Sequence, residues 1–215
     1  MIDKNTISFY GVFKNSKGEK LVYYPCPKNA NSSAKLFFAK QMGIDKNYTF
    51  LSDKIPAYKQ TKKDFSIKKN LVDFLPSKQP FLEMPNDYIK CCIVRDPIKR
   101  FISAYKNRIL YHKDKNFNDL SVNEVLNKLE NGFFDNNHFL PQTYFLGTKI
   151  KYYDFYAFAD QIEIFEKKVN NFFNKNVTFP KIQIGGNEYN INLSEKQINK
   201  IKKIYKSDYK FLDTT

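Results

Sequence analysis

The chain has no tryptophan, two histidines, three cysteines and seven glycines among 215 residues. Each scarcity excludes something. His112 and His138 lie far apart and the cysteines form no ligand-like spacing, so the sequence offers no metal site. Cys91 and Cys92 are adjacent. On a strand they would point to opposite faces and could not readily pair. Together with Cys26 they read as reduced, buried thiols of a cytosolic protein. With so few glycines there is no Gly-x-x-x-x-Gly-Lys loop, the usual cradle for a triphosphate. No apolar run approaches the roughly 20 residues of a membrane-spanning helix. The start, "MIDKNTISFYG", has neither the basic flank nor the apolar core of a signal peptide. The expectation is a cytoplasmic protein, with a Golgi lumenal parent trimmed of its anchor as the alternative. Without an Arg-rich arm, zinc finger or RNP motif, nucleic acid is not expected as the main partner.

What the sequence does have is aromatic mass and positive charge. Hydrophobic residues make up 42%, and 21 Phe and 15 Tyr must carry much of the core. The formal net charge is +14. It reflects either a lysine-rich composition or an anionic ligand, acceptor or surface. With neither an internal repeat nor a linker, residues 1–215 read as a single domain.

The segments "ISFYGVF", "NSKG" and "LVYYPCP" read as strand, turn and strand. Ser32 or Ser33 is placed to cap a helix through "AKLFFAKQM", which Gly43 would end. Residues 45–90, lysine-rich and broken by prolines, read as loops with one or two short elements. "YIKCCIV" is a continuous apolar, β-rich run, hence a buried strand. Asp96 and Pro97 then open a helix as N-cap and first residue. Its apolar face is Ile98, Phe101, Ile102, Tyr105 and Ile109. Further helices start at Ser121, with Glu124 completing a capping box, and at Ser194. Another, "QIEIFEKKVNNFF", would bury Ile162, Phe165, Val169 and Phe172. Strand–loop–helix units of this kind predict an α/β fold: P-loop-like, three-layered, with a central mainly parallel sheet flanked by helices.

Two of these units carry cations where strand meets helix. In "YYPCPKNANSSAK", Lys28 stands just ahead of the helix, Asn31, Ser32 and Ser33 supply short donors, and Lys35 lies one turn inside. Backbone N–H groups and the helix dipole favour an anion there. In "IVRDPIKRFISAYKNR", Arg95 ends a strand, where open α/β sheets bind ligands. At 100° per residue, Asp96, Lys99, Arg100, Ser103 and Asn107 share an arc of about 120°. An arginine fork beside a serine suits a phosphate monoester.

"PKNANSSAK" followed by "VRDPIKRFISAY" resembles the carbohydrate sulfotransferases that use 3′-phosphoadenosine 5′-phosphosulfate (PAPS), sulfotransferase family 2. "HFLPQTYFL" and "IYKSDYKFL" are similar to two further segments of that family, so the likeness spans residues 25–212. It implies that Lys28, Asn29, Ala30, Asn31, Ser32, Ser33 and Lys35 hold the 5′-phosphosulfate. Arg95, Arg100 and Ser103 would hold the 3′-phosphate. It also implies sulfuryl transfer to a carbohydrate or glycolipid acceptor, acidic ones included, without a metal, leaving adenosine 3′,5′-bisphosphate. Such transfer needs a cation at the departing oxygen, for which Lys28 is placed, and a base for the acceptor hydroxyl. His138 is the first candidate base, Asp73 the rival and Glu83 the third. Tyr205, Asp208 and Tyr209 read as packing and capping residues. Two other readings stay open: an atypical P-loop nucleotide kinase, and a non-enzymatic module that binds polyanions.

Overall fold

A computed structural model describes residues 8–41, 43, 71–77, 81, 83–181 and 189–213. Five strands form one sheet: β1 (Ser8–Lys14), β2 (Lys20–Tyr24), β3 (Leu71–Ser77), β4 (Tyr88–Val94) and β5 (Phe155–Phe158). Their order is β3-β1-β2-β4-β5. The β2–β4 and β4–β5 pairs are parallel, and β1 pairs antiparallel with β2 and with β3. The parallel half is therefore β2-β4-β5, extended on one side by an antiparallel pair. β3 falls in the stretch read as loops with short elements; its Pro76 is tolerated because β3 is an edge strand. Residues 45–70 of that stretch lie outside the described residues. β5 was not anticipated, since its four residues are too few to show a period.

The seven described α-helices are α1 (Asn31–Gln41), α2 (Pro97–Ala104), α3 (Val122–Glu130), α4 (Thr143–Leu146), α5 (Ile162–Phe173), α6 (Glu195–Ile204) and α7 (Lys206–Leu212). Strand alternation sorts the core. Leu21, Tyr23, Cys91 and Ile93 face α1 and α5, where Phe37, Phe38, Phe165, Val169 and Phe173 pack on them. Val22, Tyr24, Cys92 and Val94 face the other side, against Phe145, Leu146, Ile150, Tyr153 and Phe211. The sheet is thus covered on both faces, in three layers. The three cysteines are free and buried, with Cys91 and Cys92 on opposite faces. A third cluster joins Phe101 and Tyr105 to Val125, Leu126, Leu129, Phe139, Ile201 and Tyr205 beside the sheet.

Helix entries are mostly as the residues foretell. Asp96 caps α2, accepting from the Lys99 N–H at 2.9 Å, with Pro97 as the first helical residue. Ser121 and Ser194 each form a capping box. α1 differs. It starts at Asn31, so Ser32 and Ser33 lie inside its first turn and not ahead of it. In α5 Phe165 and Val169 are fully buried as expected and Phe173 is buried in place of Phe172; Phe172 and Ile162 are only partly covered.

The helix opened by Asp96 also differs beyond Ala104. Residues Tyr105–Tyr111 wind as a π-helix, closed by His112 N–H donating to the Asn107 carbonyl at 3.0 Å. Phe101, Tyr105 and Ile109 are buried as the periodicity predicts. The wider turn changes where the polar residues between them point. π-helical stretches are rare and often lie at functional sites.

Candidate active site

Lys28 sits in the loop between β2 and α1, at the carboxyl end of the parallel half of the sheet. Its backbone is left-handed, φ 69°, and so is that of Ala30, φ 55°. Left-handed backbone costs a non-glycine residue roughly 1–2 kcal/mol. A loop that elsewhere uses glycines is here bent with side chains in place. What holds it lies underneath. Asn29 is fully buried, and its Nδ2 donates to the Ile93 carbonyl at 2.9 Å and to Gln142 Oε1 at 3.0 Å. Arg95 Nη1 donates to the Lys28 carbonyl at 2.9 Å, and Arg100 Nε to the Pro27 carbonyl at 3.1 Å.

Arg100 departs from the polar stripe expected of α2. It is 2% exposed, and its Nη1 donates to the Leu140 carbonyl at 2.6 Å. The cost of burying a guanidinium is offset by these carbonyls. Lys99 does face solvent and pairs with Asp160 at 2.5 Å. The two neighbours therefore diverge, one bracing the loop and one solvated. Arg100 Nη2 and Asn29 Oδ1 are buried with no partner among the described residues.

The Lys28 amino group donates to Asn107 Oδ1 at 2.7 Å, from the π-helical stretch. Among the described residues no carboxylate pairs with it. Burial pushes its pKa down to about 7, and Arg108, Arg95 and Arg100 push the same way. Lys35, in the second turn of α1, is also lowered by burial. Asn31 opens α1 and its Oδ1 lies 3.5 Å from the Tyr23 hydroxyl. Ser103 lies on α2, partly exposed.

His138 lies in the segment leading to α4, partly exposed. That segment is pinned at three points. The Tyr205 hydroxyl donates to the Phe139 carbonyl at 2.8 Å, Arg100 holds the Leu140 carbonyl, and the Asp208 carboxylate accepts from Gln142 and Thr143 N–H at 2.9 and 3.0 Å. Tyr205 and Asp208 are thus packing and capping residues, as read from the sequence. The His138 ring is held well below its usual pKa, first by burial, then by Arg108, Lys28, Arg100 and His112. It is neutral at neutral pH and in the same cationic neighbourhood as Lys28.

The rival bases lie elsewhere. Asp73 is in β3, opposite Val12, two strands from β2; its side chain lies outside the described residues. Glu83 is exposed, ahead of β4. Among the described residues no group of His, Cys, Asp or Glu is placed to hold a metal ion, and no helix is long and apolar enough to cross a membrane.

Sequence reasoning put Asn107 on the polar arc without giving it a partner, and missed Arg108, Asp114, Asn136 and Gln142. Gln142 binds Asn29, and its Nε2 donates to the Arg95 carbonyl at 2.8 Å, so it joins the two strand ends. Arg108 forks onto Asp114, Nε to Oδ2 at 2.7 Å and Nη2 to Oδ1 at 2.6 Å. Only the Pro141-Gln142 pair carried a signal; the π-helical residues carried none, because an α period misplaces them.

A bent loop whose lysine has an amide but no carboxylate partner, with arginines nearby at the ends of parallel strands, can stabilise a developing anion. No curated protein and no solved structure matches the chain. The model of the sulfotransferase family matches residues 12–213, from β1 through α7 and across both strand-end loops, and the chain belongs to that family.

Proposed function

We propose that the protein moves a sulfuryl group from PAPS to a hydroxyl of a carbohydrate or glycoconjugate, and that residues 1–215 act as one unit in doing so. The observation that carries this reading is Lys28: an amino group depressed to about 7 among Arg95, Arg100 and Arg108, with only a neutral amide as partner. Such a site is short of negative charge. A phosphosulfate beside Lys28 and a second phosphate near Arg95 would supply it.

PAPS, when bound, supplies the sulfuryl group and leaves as adenosine 3′,5′-bisphosphate. Lys28, protonated once an anion is beside it, stabilises the charge that grows on the departing phosphate oxygen. Lys28, Asn29, Ala30, Asn31, Ser32, Ser33 and Lys35 form the cradle for the 5′ end. Arg95 and Ser103 serve the 3′-phosphate, while Arg100 holds the loop in shape. His138, neutral and close to these cations, takes the proton from the acceptor hydroxyl.

Thermal shift tests the donor. At 100 times its dissociation constant, a ligand adds about 2.7 kcal/mol of stability. Adenosine 3′,5′-bisphosphate is expected to raise Tm without Mg²⁺, and 5′-AMP far less. Equal shifts from the two nucleotides would remove the 3′-phosphate assignment. A shift by ATP that requires Mg²⁺ would favour a kinase.

A further inference from the structure

His138 sits at the end of a chain of side chains that the sequence did not join. Arg108 grips Asp114 with both Nε and Nη2. That carboxylate, largely buried, is the acceptor for Asn136 Nδ2 at 2.5 Å. Asn136 Oδ1 then receives the His138 backbone N–H at 3.0 Å and stands 2.9 Å from His138 Nδ1.

The chemistry of the partners fixes each orientation. An ionised carboxylate only accepts, so the Asn136 group facing Asp114 must be the NH₂. Its oxygen is then the atom beside His138, where the backbone N–H confirms it as an acceptor. An acceptor opposite Nδ1 requires a proton on Nδ1. In the neutral ring the lone pair is left on Nε2. That atom has no protein partner among the described residues and is not among their fully enclosed polar atoms. The charged and titratable groups that act on the ring are Arg108, Lys28, Arg100 and His112, with Asp114 beyond Asn136. Burial first, and then the four of these five that are cationic or can become so, keep the ring neutral.

We propose that Asn136, oriented by the Arg108–Asp114 pair, is a positioning residue that fixes His138 as the Nδ1–H tautomer with Nε2 free to accept a proton. That the proton comes from the acceptor hydroxyl rests on the function proposed above; the tautomer does not. Arg108 has a double part, since the residue that orients Asp114 also repels protons from both His138 and Lys28.

The experiment is ¹⁵N NMR of the imidazoles in the whole protein. The chain has two histidines, so His112→Gln assigns the remaining ring to His138. Wild type is expected to show Nδ1 protonated and Nε2 bare at neutral pH. In Asn136→Ala the Nδ1–H preference is lost. In Asp114→Asn the Asn136 amide is free to turn over and the ring becomes a mixture of tautomers. Wild type with Nε2 protonated overturns the proposal, and so does an unchanged tautomer in both variants. If neither variant folds, the wild-type spectrum alone decides. Activity separates this from the base assignment. With the base role correct, Asn136→Ala lowers kcat by about 10–100-fold, as for other orienting partners, with KM for the donor unchanged. A tautomer that moves while kcat does not would support the positioning of the ring and sink the base role of His138.

Discussion

The two strand-to-helix junctions make an instructive pair. At β4–α2 the turn is made by ordinary means: Asp96 caps, Pro97 starts the helix, and Arg95 is the cation at the strand end. At β2–α1 the turn runs through left-handed backbone at Lys28 and Ala30, over a fully buried Asn29. The first junction would form in many proteins. The second holds only because Arg95, Arg100 and Gln142 tie it from below. Strain and a depressed lysine pKa fall together on one loop; under the proposed function the bond-breaking step belongs to β2–α1 and binding to β4–α2.

The largest expected effect is on Lys28. Lys28→Met should cut turnover by about 10²–10³-fold in a sulfuryl-transfer assay, the loss usual for one transition-state donor. It should also raise stability in chemical denaturation near pH 6, because a cation held at an unfavourable site is removed. A turnover near wild type would move the chemistry to the other junction.

Arg95→Ala comes next. The lost charged hydrogen bond should weaken binding of adenosine 3′,5′-bisphosphate by about 1.5–3 kcal/mol, roughly 10–150-fold, measured by calorimetry. If Arg95→Ala instead lowers kcat with binding intact, the two junctions have exchanged roles.

The third test is pH. Lys28 has a folded pKa of about 7, below its ordinary 10.5. Below pH 7 it is already protonated, so binding of a bisphosphate gains its charge at no cost. Above pH 7 it must take up a proton to bind, and affinity should fall by up to about tenfold per unit. The same shift gives the unliganded protein a stability that rises from about pH 7 towards 10.5, since the unfolded chain there binds the extra proton. Affinity that stays flat from pH 7 to 9 would contradict the depressed pKa.

The smallest effects are on the backbone. Asp96→Ala should lose about 1 kcal/mol, the worth of an N-cap. Ala30→Gly should gain up to about 1 kcal/mol, because glycine accepts left-handed φ freely and most of that relief survives its extra unfolded-state entropy. Opposite signs at the two junctions, read from urea midpoints, would sharpen the contrast; a loss at both would deny the strain at Ala30.

Much of this was legible in the residues. Continuous apolar, β-rich runs placed β2 and β4, the Asp96-Pro97 and Ser121/Glu124 signals fixed helix starts, and the cations at Lys28 and Arg95 marked the strand ends. Sequence failed where local rules are overridden by tertiary contacts. Periodicity put Arg100 on the polar, anion-binding stripe, but the carbonyls of Pro27 and Leu140 reward its burial. Nothing local signals left-handed backbone at Lys28, since the ties that hold it come from residues 64–113 positions away. The polar arc included Asn107, but a period of 3.6 residues gave no sign of its bond to Lys28 or of Arg108's grip on Asp114.

The π-helical stretch has a consequence for the chain's tolerance of length changes. Such a stretch behaves as an α-helix that has absorbed extra sequence. Between Tyr105 and Tyr111, the spare residue sets where Asn107 and Arg108 point. Removing one residue there would let the helix close on the α pattern with the chain beyond kept in phase, while the residues inside the stretch would be re-aimed by as much as about 100°. Lys28 would lose Asn107, and Arg108 would turn away from Asp114. In a regular α-helix such a deletion would instead rotate everything beyond it by about 100°. Here a single codon's worth of chain keeps the lysine and the histidine in step.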